Sequence, residues 1–288
     1  MNLSAIIVTH NSAAVVGPLV ASLPSGTEII CVDNASADDI AAAVRPFPAK
    51  LIRNERNLGY GAACNRGVAE ATADFLLFLN PDIAFADDAL AEIDAAIRRY
   101  PACSVFSPRI EDDSGRVENR DYNFIERAGT RRLHRLRQPF AGDCCIHFLH
   151  GGAFVIRRAT FLALGGFDER IFLYHEDDDL AARLLARREP IVYVHAAGVR
   201  HGVQRSATPT LRRRYFMNLH KKRSEIYVRR KYGLTYHRAL DVVDLCARVL
   251  VYAITFNRYR LFGAAGRLVG ALSRPEPPDA RDSKRSAR

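Results

Sequence analysis

No CxxC pair, no Walker A loop, no GxSxG elbow and no apolar run of bilayer-spanning length occur in this chain of 288 residues. Each absence closes a class. The six cysteines, Cys31, Cys64, Cys103, Cys144, Cys145 and Cys246, show no metal-ligand spacing, which argues against a zinc fold. Adjacent Cys144 and Cys145 suit neither a zinc site nor an ordinary disulfide, so free, mostly buried thiols in a reducing cytoplasm are expected. No motif marks a cysteine nucleophile. The missing Walker A and GxSxG sequences remove the P-loop and α/β-hydrolase signatures. The first turn after a strand, Thr9-His10-Asn11-Ser12, carries no glycine, so the dinucleotide fingerprint is missing where it should stand. Gly59-Tyr60-Gly61 is only a broken version of it. A membrane span needs about 18–20 apolar residues; the best stretch, Val249 to Phe256, is too short. Met1-Asn2-Leu3-Ser4 lacks the basic-then-apolar layout of a signal peptide. The expected location is the cytoplasm, free or peripheral on the inner face of the plasma membrane. No internal repeat is visible.

What is present is an alternating pattern in a chain that is 48% hydrophobic and 26% charged. Ser4–Thr9, Glu28–Val32, Leu51–Arg53, Phe75–Leu79 and Val105–Ser107 read as strands. Ala13–Leu23, Asp38–Val44, Gly59–Ala71 and Asp87–Tyr100 read as the helices between them, the third preceded by a loop. This alternation predicts an α/β fold with a mostly parallel sheet and helices on both faces. From Glu111 to Phe140 the pattern dissolves around Asp112-Asp113-Ser114-Gly115 and the basic run Arg131, Arg132, Arg135 and Arg137. A mobile excursion is expected there. Order resumes at Ile146–Ile156, with a helix over Asp177–Arg187 and a strand over Ile191–Val194. Beyond Leu211 basic triplets punctuate a helical stretch, a second spans Ala239–Phe256, and the Pro-rich end is expected to be disordered. The organisation is a domain over 1–210, a basic helical extension over 211–272 and a tail over 273–288. The net charge of +10 favours phosphate-bearing partners: nucleotides, nucleic acid or an anionic membrane surface.

Two buried-looking strands run straight into a carboxylate. Ile29–Val32 ends at Asp33, and Phe75–Leu79 ends at Asn80-Pro81-Asp82. In open α/β sheets ligands sit outside the carboxyl ends of the strands, so both acids would face one crevice. For each, a cap or turn role competes with a ligand role, and position alone does not choose. Glu176-Asp177-Asp178-Asp179 has more acids than a helix start needs, and crowding like charges raises a carboxylate's pKa toward that of a general base. The competing reading is a solvated acidic patch. His201 matters only if it meets Asp82 across the crevice.

In this order, AIIVTHNS (Ala5–Ser12), CVDNAS (Cys31–Ser36), NERNLGYGAACNRGV (Asn54–Val68), LFLNPD (Leu77–Asp82), the Gly151–Leu184 segment and His201-Gly202 resemble glycosyltransferase family 2, with the GT-A (nucleotide-diphospho-sugar transferase) fold and a C-terminal helical extension. The likeness is greatest to its rhamnosyltransferase-like branch. It implies an inverting transferase that moves a sugar, rhamnose by likeness, from a nucleoside-diphosphate donor to a glycan or lipid-linked acceptor in cell-surface polysaccharide synthesis. It further implies that Thr9, Asn11 and Asp33 contact the nucleoside and that Asn57, Gly59 and Asn65 line the donor pocket. Asp82 and His201 would hold Mg²⁺ or Mn²⁺, and Asp177 would be the catalytic base. Gly151, Gly152, Glu176 and Asp178 would lie on the acceptor side. Asn80-Pro81-Asp82 offers one carboxylate where the full Asp-x-Asp motif has two. Two alternatives compete: a nicotinamide-dependent oxidoreductase resting on Gly59 and Gly61, and a basic nucleic-acid-binding protein. Under the transferase reading nucleic acid is not a partner.

Overall fold

The computed structural model describes residues 1–129, 140–202 and 210–273. The chain forms two compact units, Met1–Glu169 with Glu176–Thr208, and Arg170–His175 with Pro209–Arg288.

The first unit opens as strand–helix pairs: β1 (Leu3–Thr9) and α1 (Ala13–Ser22), β2 (Glu28–Asp33) and α2 (Ile40–Val44), β3 (Ala49–Arg53) and α3 (Tyr60–Val68). β4 (Phe75–Leu79) turns directly into β5 (Ile83–Phe85), followed by α4 (Ala89–Arg99) and β6 (Val105–Glu111). Then come α5 (Phe124–Gly129), β7 (Cys144–Ile146), β8 (Ala153–Arg157), α6 (Arg158–Ala163), α7 (Glu176–Ala186) and β9 (Ile191–His201). The sheet order is β3-β2-β1-β4-β8-β6-β9-β5, with β7 on β9.

β1, β2 and β4 are apolar on both faces because both faces are covered, the pattern of inner parallel strands. Leu3, Ala5 and Ile7 of β1 pack toward α1, α2 and α4, while Ile6 and Val8 pack toward α3, α6 and α7. The first four strands are parallel. The second half departs from a parallel plan: β8 lies antiparallel to both β4 and β6, and β6 is again parallel to β9. A parallel neighbour needs a long crossover, usually a helix. Between β6 and β8 the only helix among the described residues is the six-residue α5.

Three further expectations change. Residues 111–129 are structured rather than a loose excursion: Glu111 bridges Val117, and Asn123 and Glu126 exchange backbone-to-side-chain hydrogen bonds in a capping box that starts α5. The arginine run at 131–137 lies outside the described residues, as does the tail from 274. The last strand extends through Ala197–Val199 to His201, so that histidine sits in β9 itself and not after a loop. Of the cysteines only Cys31 and Cys64 are buried, while Cys145 and Cys246 are exposed.

The second unit holds α8 (Leu211–Lys231), α9 (Arg238–Ile254) and α10 (Arg258–Leu272), the last within the expected helical extension but not singled out there as a separate helix. α8 and α10 meet at backbone distance. A Cβ on Gly266 would stand 2.3 Å from the Tyr215 carbonyl oxygen, and one on Gly270 would stand 2.7 Å from that of Leu219. Lys222 is buried between them and answered by Glu225 at 3.0 Å and Asp241 at 3.1 Å.

Gly67 sets the seating of α3 on the sheet. An added Cβ would lie 2.8 Å from Ile6 Cγ2 and 3.0 Å from Val32 Cγ2, both in fully packed strands. Gly67→Val is expected to cost about 1–3 kcal/mol of stability, as overpacking does. Denaturant unfolding checks this, and an unchanged midpoint would mean the helix floats on the sheet.

Candidate active site

Parallel pairing brings three strand ends to one edge. Thr9 is in register with Asp33, and Ile7 with Leu79, so β1, β2 and β4 open onto the same side. β1 stands between β2 and β4, the point where strand order reverses and ligands gather in such sheets. Asp33 is buried; one oxygen accepts the Ser36 amide at 2.9 Å, and the other lies 3.4 Å from Arg53 Nε. It therefore makes a turn cap and an ion pair at once. Beside it Ala35, Ser36, Arg53, Asn54 and Glu55 line an open cavity of about 420 Å³. Asn11, in the left-handed region at φ 54°, accepts the Ala37 amide at 2.7 Å. Thr9 is buried and donates to the Val32 carbonyl at 3.4 Å.

Asn34, which the sequence reading passed over, is the hub of this end. Its amide nitrogen donates to Asn57 Oδ1 at 2.9 Å and to the Gly59 carbonyl at 3.1 Å, and its oxygen accepts from Asn54 and from the Leu58 amide. Asn57 in turn accepts the Gly59 amide at 2.9 Å. Gly59, at φ 87°, caps α3 in a conformation that disfavours any side chain. Gly61 lets Phe167 close in, since a Cβ there would stand 2.9 Å from Phe167 Cβ. Packing and turn geometry thus account for both glycines of the nicotinamide alternative. Asn65 uses its side-chain amide on the Phe167 backbone, accepting the N–H at 2.8 Å and donating to the carbonyl at 2.9 Å.

The β4–β5 turn delivers Asp82. Ile83 pairs with His201 across the β5–β9 ladder, and the Gly202 amide donates to the Asp82 carbonyl at 3.1 Å. His201 Nε2 therefore comes within 3.7 Å of Asp82 Oδ1, the meeting that gives this histidine a use. Two residues absent from the sequence reading join them. Glu118 Oε2 lies 3.0 Å from His201 Nδ1 and 3.2 Å from His150 Nε2. Glu118, His150 and His201 bring three potential ligand atoms within 4.8 Å of one another. Asn119 holds Glu118 there by clasping β6, donating to Pro108 at 3.0 Å and accepting the Ile110 amide at 2.7 Å. Hydrogen bonds from His150 and His201 hold the Glu118 carboxyl well below the usual range, against its burial. Burial presses His201 toward the neutral form, yet the Glu118 hydrogen bond and the Asp82 charge outweigh it and raise its pKa. No pattern marked Glu118; His150 could have been suspected from its place just before Gly151-Gly152.

Gly151 and Gly152 carry the connection to the acidic helix. Gly152 offers its carbonyl to the Asn80 amide at 2.8 Å and its amide to His150 Nδ1 at 3.0 Å. The Gly151 amide lies 3.3 Å from Asp177 Oδ2, and Tyr60 donates to the Gly151 carbonyl at 2.8 Å. A continuous run of contacts therefore links His201 and Asp82 to Asp177. The four acids have separate surroundings. Asp178 accepts the Phe124 amide at 2.8 Å, and Asp179, fully buried, meets Arg183 Nε at 2.9 Å. Glu176 is buried, and one carboxyl oxygen has no hydrogen-bond partner among the described residues. Burial first, then the Asp177 charge, pushes its pKa well up and favours the neutral acid. The acids are therefore not a solvated patch: only Asp177 of the four is part-exposed.

Comparison with known proteins gives a consistent family. Residues 4–165 match the model of glycosyl transferase family 2. The N-acetylglucosaminyl-diphospho-decaprenol L-rhamnosyltransferase of Mycobacterium tuberculosis is 30% identical over 234 residues, covering 69% of this chain and 75% of that protein. S. aureus TarS 1-349 with UDP-GlcNAc superposes with a TM-score of 0.57 at 16% identity, over 93% of this chain and 92% of that one. The mannosyltransferase PcManGT of Pyrobaculum calidifontis with GDP-Man and Mn²⁺ gives 0.55 at 16% identity, over 94% and 86%. At such identities the likeness concerns the fold, which is GT-A. Neither the oxidoreductase nor the nucleic-acid alternative gains support.

Glu176 makes stability fall with rising pH. Its unfolded pKa is about 4.3, and its folded pKa is higher. Between the two the folded state binds more protons, so its advantage is full below the unfolded value and is lost as pH rises through the folded one. Glu176→Gln keeps the shape and removes that loss. Denaturant unfolding at pH 5 and pH 8 is expected to show a smaller decline for the variant; parallel declines would mean the carboxyl is ionised in the fold.

Proposed function

The chain belongs to glycosyl transferase family 2 and is a nucleotide-sugar glycosyltransferase of the GT-A fold, and from that premise we propose an inverting rhamnosyltransferase that extends a lipid-linked or nascent glycan in cell-surface polysaccharide synthesis. The observation that carries the reading is the contact run from His201 and Asp82 through Asn80, Gly152 and Gly151 to Asp177. It supports a diphosphate end and an acceptor end within one site. Rhamnose and the lipid-linked acceptor come from the likeness to the mycobacterial relative. The nucleoside lies against Asn11 and the turn that Asp33 caps, beside the cavity at the ends of β2 and β3, with buried Thr9 supporting that turn from beneath. Asn57, Gly59 and Asn65 shape the donor side through the α3 cap and the Phe167 turn. Gly151 and Gly152 sit on the acceptor side and let their neighbours close in, since a Cβ on Gly152 would stand 2.9 Å from the His150 ring and one on Gly151 3.4 Å from Asp177 Oδ2, while Glu176 and Asp178 act from beneath by shaping the start of α7. The enzyme works on the cytoplasmic side, peripheral to the membrane that holds its acceptor.

The donor set fits a divalent cation. A carboxylate and an imidazole, Asp82 Oδ1 and His201 Nε2, face each other, and Glu118 accepts the other ring N–H as the outer carboxylate of a metal-bound histidine does. Imidazole beside carboxylate favours Mn²⁺, whereas Mg²⁺ prefers oxygen ligands. When bound, the ion neutralises charge on the departing diphosphate, a contribution of several kcal/mol. The protein's own chemistry is proton removal. Asp177 takes the proton of the acceptor hydroxyl as that oxygen bonds to the anomeric carbon from the face opposite the diphosphate. The old carbon–oxygen bond breaks to the diphosphate and the configuration inverts, with no covalent enzyme intermediate. Glu176, Asp178 and Asp179 are buried and Asp179 is paired with Arg183, whereas Asp177 is part-exposed, which favours Asp177 as the base.

A panel of nucleotide sugars with product detection by mass spectrometry tests the reading; turnover of none of them would sink it. Asp177→Asn is expected to lower kcat by about 10²–10⁴-fold and to leave donor Kd unchanged by calorimetry. Retained turnover would move the base to another acid. Asp82→Ala is expected to abolish the gain in donor affinity that Mn²⁺ brings. Equal donor affinity with Mn²⁺ and with chelator in the parent enzyme would remove the metal assignment.

A further inference from the structure

The helices of the second unit carry the charge excess of the whole chain. Residues 210–273 hold fourteen Lys or Arg against three Asp or Glu, whereas residues 1–209 hold 23 against 26. The same helices keep an apolar surface that folding does not use. α9 puts Leu245 into a small core with Ile226 and Ala271. On the opposite side Leu240, Val243, Leu250, Val251 and Ile254 are 69%, 67%, 61%, 52% and 67% exposed, and Phe256 just beyond the helix is 88% exposed. At about 100° per residue these five helical positions fall on one arc, centred opposite Leu245. No charged residue interrupts the arc; Asp244 and Arg248 stand on its flank. Among the described residues nothing covers it. So large a contiguous apolar face marks a surface that meets something apolar.

On the flank of that stripe α8, α9 and α10 wall an open cavity of about 330 Å³, with Arg214, Arg248, Arg260 and Arg267 in its lining. Arg258 and Arg260 follow Phe256 at the start of α10 and are exposed beside Tyr259. Going outward from the stripe, the chemistry changes from aliphatic to aromatic and arginine-rich. A bilayer presents the matching order, acyl chains and then anionic headgroups. A second copy of the chain would set the same positive charge against this one, which disfavours it as the occupant.

We propose that α9 is an interfacial docking helix for an anionic phospholipid bilayer, its exposed stripe in the acyl boundary and the arginine-lined cavity toward headgroup phosphates. The inference deepens the reading of a lipid-linked acceptor and rests on it for its purpose. The chain contains no tryptophan, so Ile254→Trp gives a single reporter on the stripe. With full-length protein, phosphatidylcholine–phosphatidylglycerol vesicles are expected to shift its emission to the blue, and brominated acyl chains are expected to quench it. Phosphatidylcholine alone should do neither. Val243→Glu with Leu250→Glu, both exposed, should weaken co-sedimentation by more than about ten-fold with circular dichroism unchanged. An unshifted Trp on vesicles that do sediment the protein would overturn the proposal, since charge elsewhere would then suffice. Failure to sediment at low salt would overturn it too. So would concentration-dependent self-association that the double variant abolishes, which would give the stripe to a second copy. Sugar transfer to a lipid-linked acceptor in detergent separates the two readings. Transfer without vesicle binding removes only the docking helix; vesicle binding with transfer to soluble glycans alone removes only the lipid-linked acceptor.

Discussion

The turn from β4 into β5 is the constraint on which the site depends. β4 is held on one side by β1 and on the other by β8, so its last residue is fixed on both flanks. Four residues later Ile83 is already paired with His201. Asn80-Pro81-Asp82 must bridge those two pairings, and this leaves Asp82 little choice but to stand beside His201. The same turn reaches the other way through the Asn80 amide to Gly152, and so to Gly151 and Asp177. A shift of β5 along β9 by one residue would reverse the facing of its side chains and dissolve both links.

Opposite electrostatic surroundings then divide the acids into kinds. Glu118 lies between two imidazoles, which lower its pKa, while Glu176 is buried beside another carboxylate, which raises its own. Titratable groups whose surroundings push their pKa values apart are a mark of acid–base sites. Behind them Phe78, Phe154, Phe161 and Phe167 pack ring on ring, with Phe78 and Phe154 stacked at 4.8 Å between centroids. This cluster excludes water from beneath the site and seats the Phe167 turn that Asn65 clasps. A low-polarity floor strengthens the charge interactions above it.

Charge is segregated as sharply as it is tuned. The residues that form the sheet and its helices are close to neutral in sum, while the helices after residue 210 are strongly basic. A net charge of +10 spread evenly would say only that the protein is soluble. Confined to one unit that also shows an apolar stripe, it becomes a statement about surfaces.

The amino-acid sequence by itself determined the local elements. The apolar runs of β1, β2 and β4, and the Asp or Asn-Pro-Asp that ends them, are short-range signals, and the structure has the strands within a residue or two of where those signals put them. The acids at the start of α7 were legible for the same reason: a helix start is a local event. The partners of those residues were not. Glu118 comes from a stretch without periodicity, His150 from beside two glycines, and Asn34 from a turn, and each joins the site through side-chain partners at least 20 positions away in the chain. Nor could the sequence separate four consecutive acids. Their roles follow from which ones folding buries, which one it sets against an arginine and which one it leaves part-exposed beside Gly151. That assignment belongs to the tertiary structure alone, because a carboxylate's ionisation depends on burial and on charges that folding brings from elsewhere.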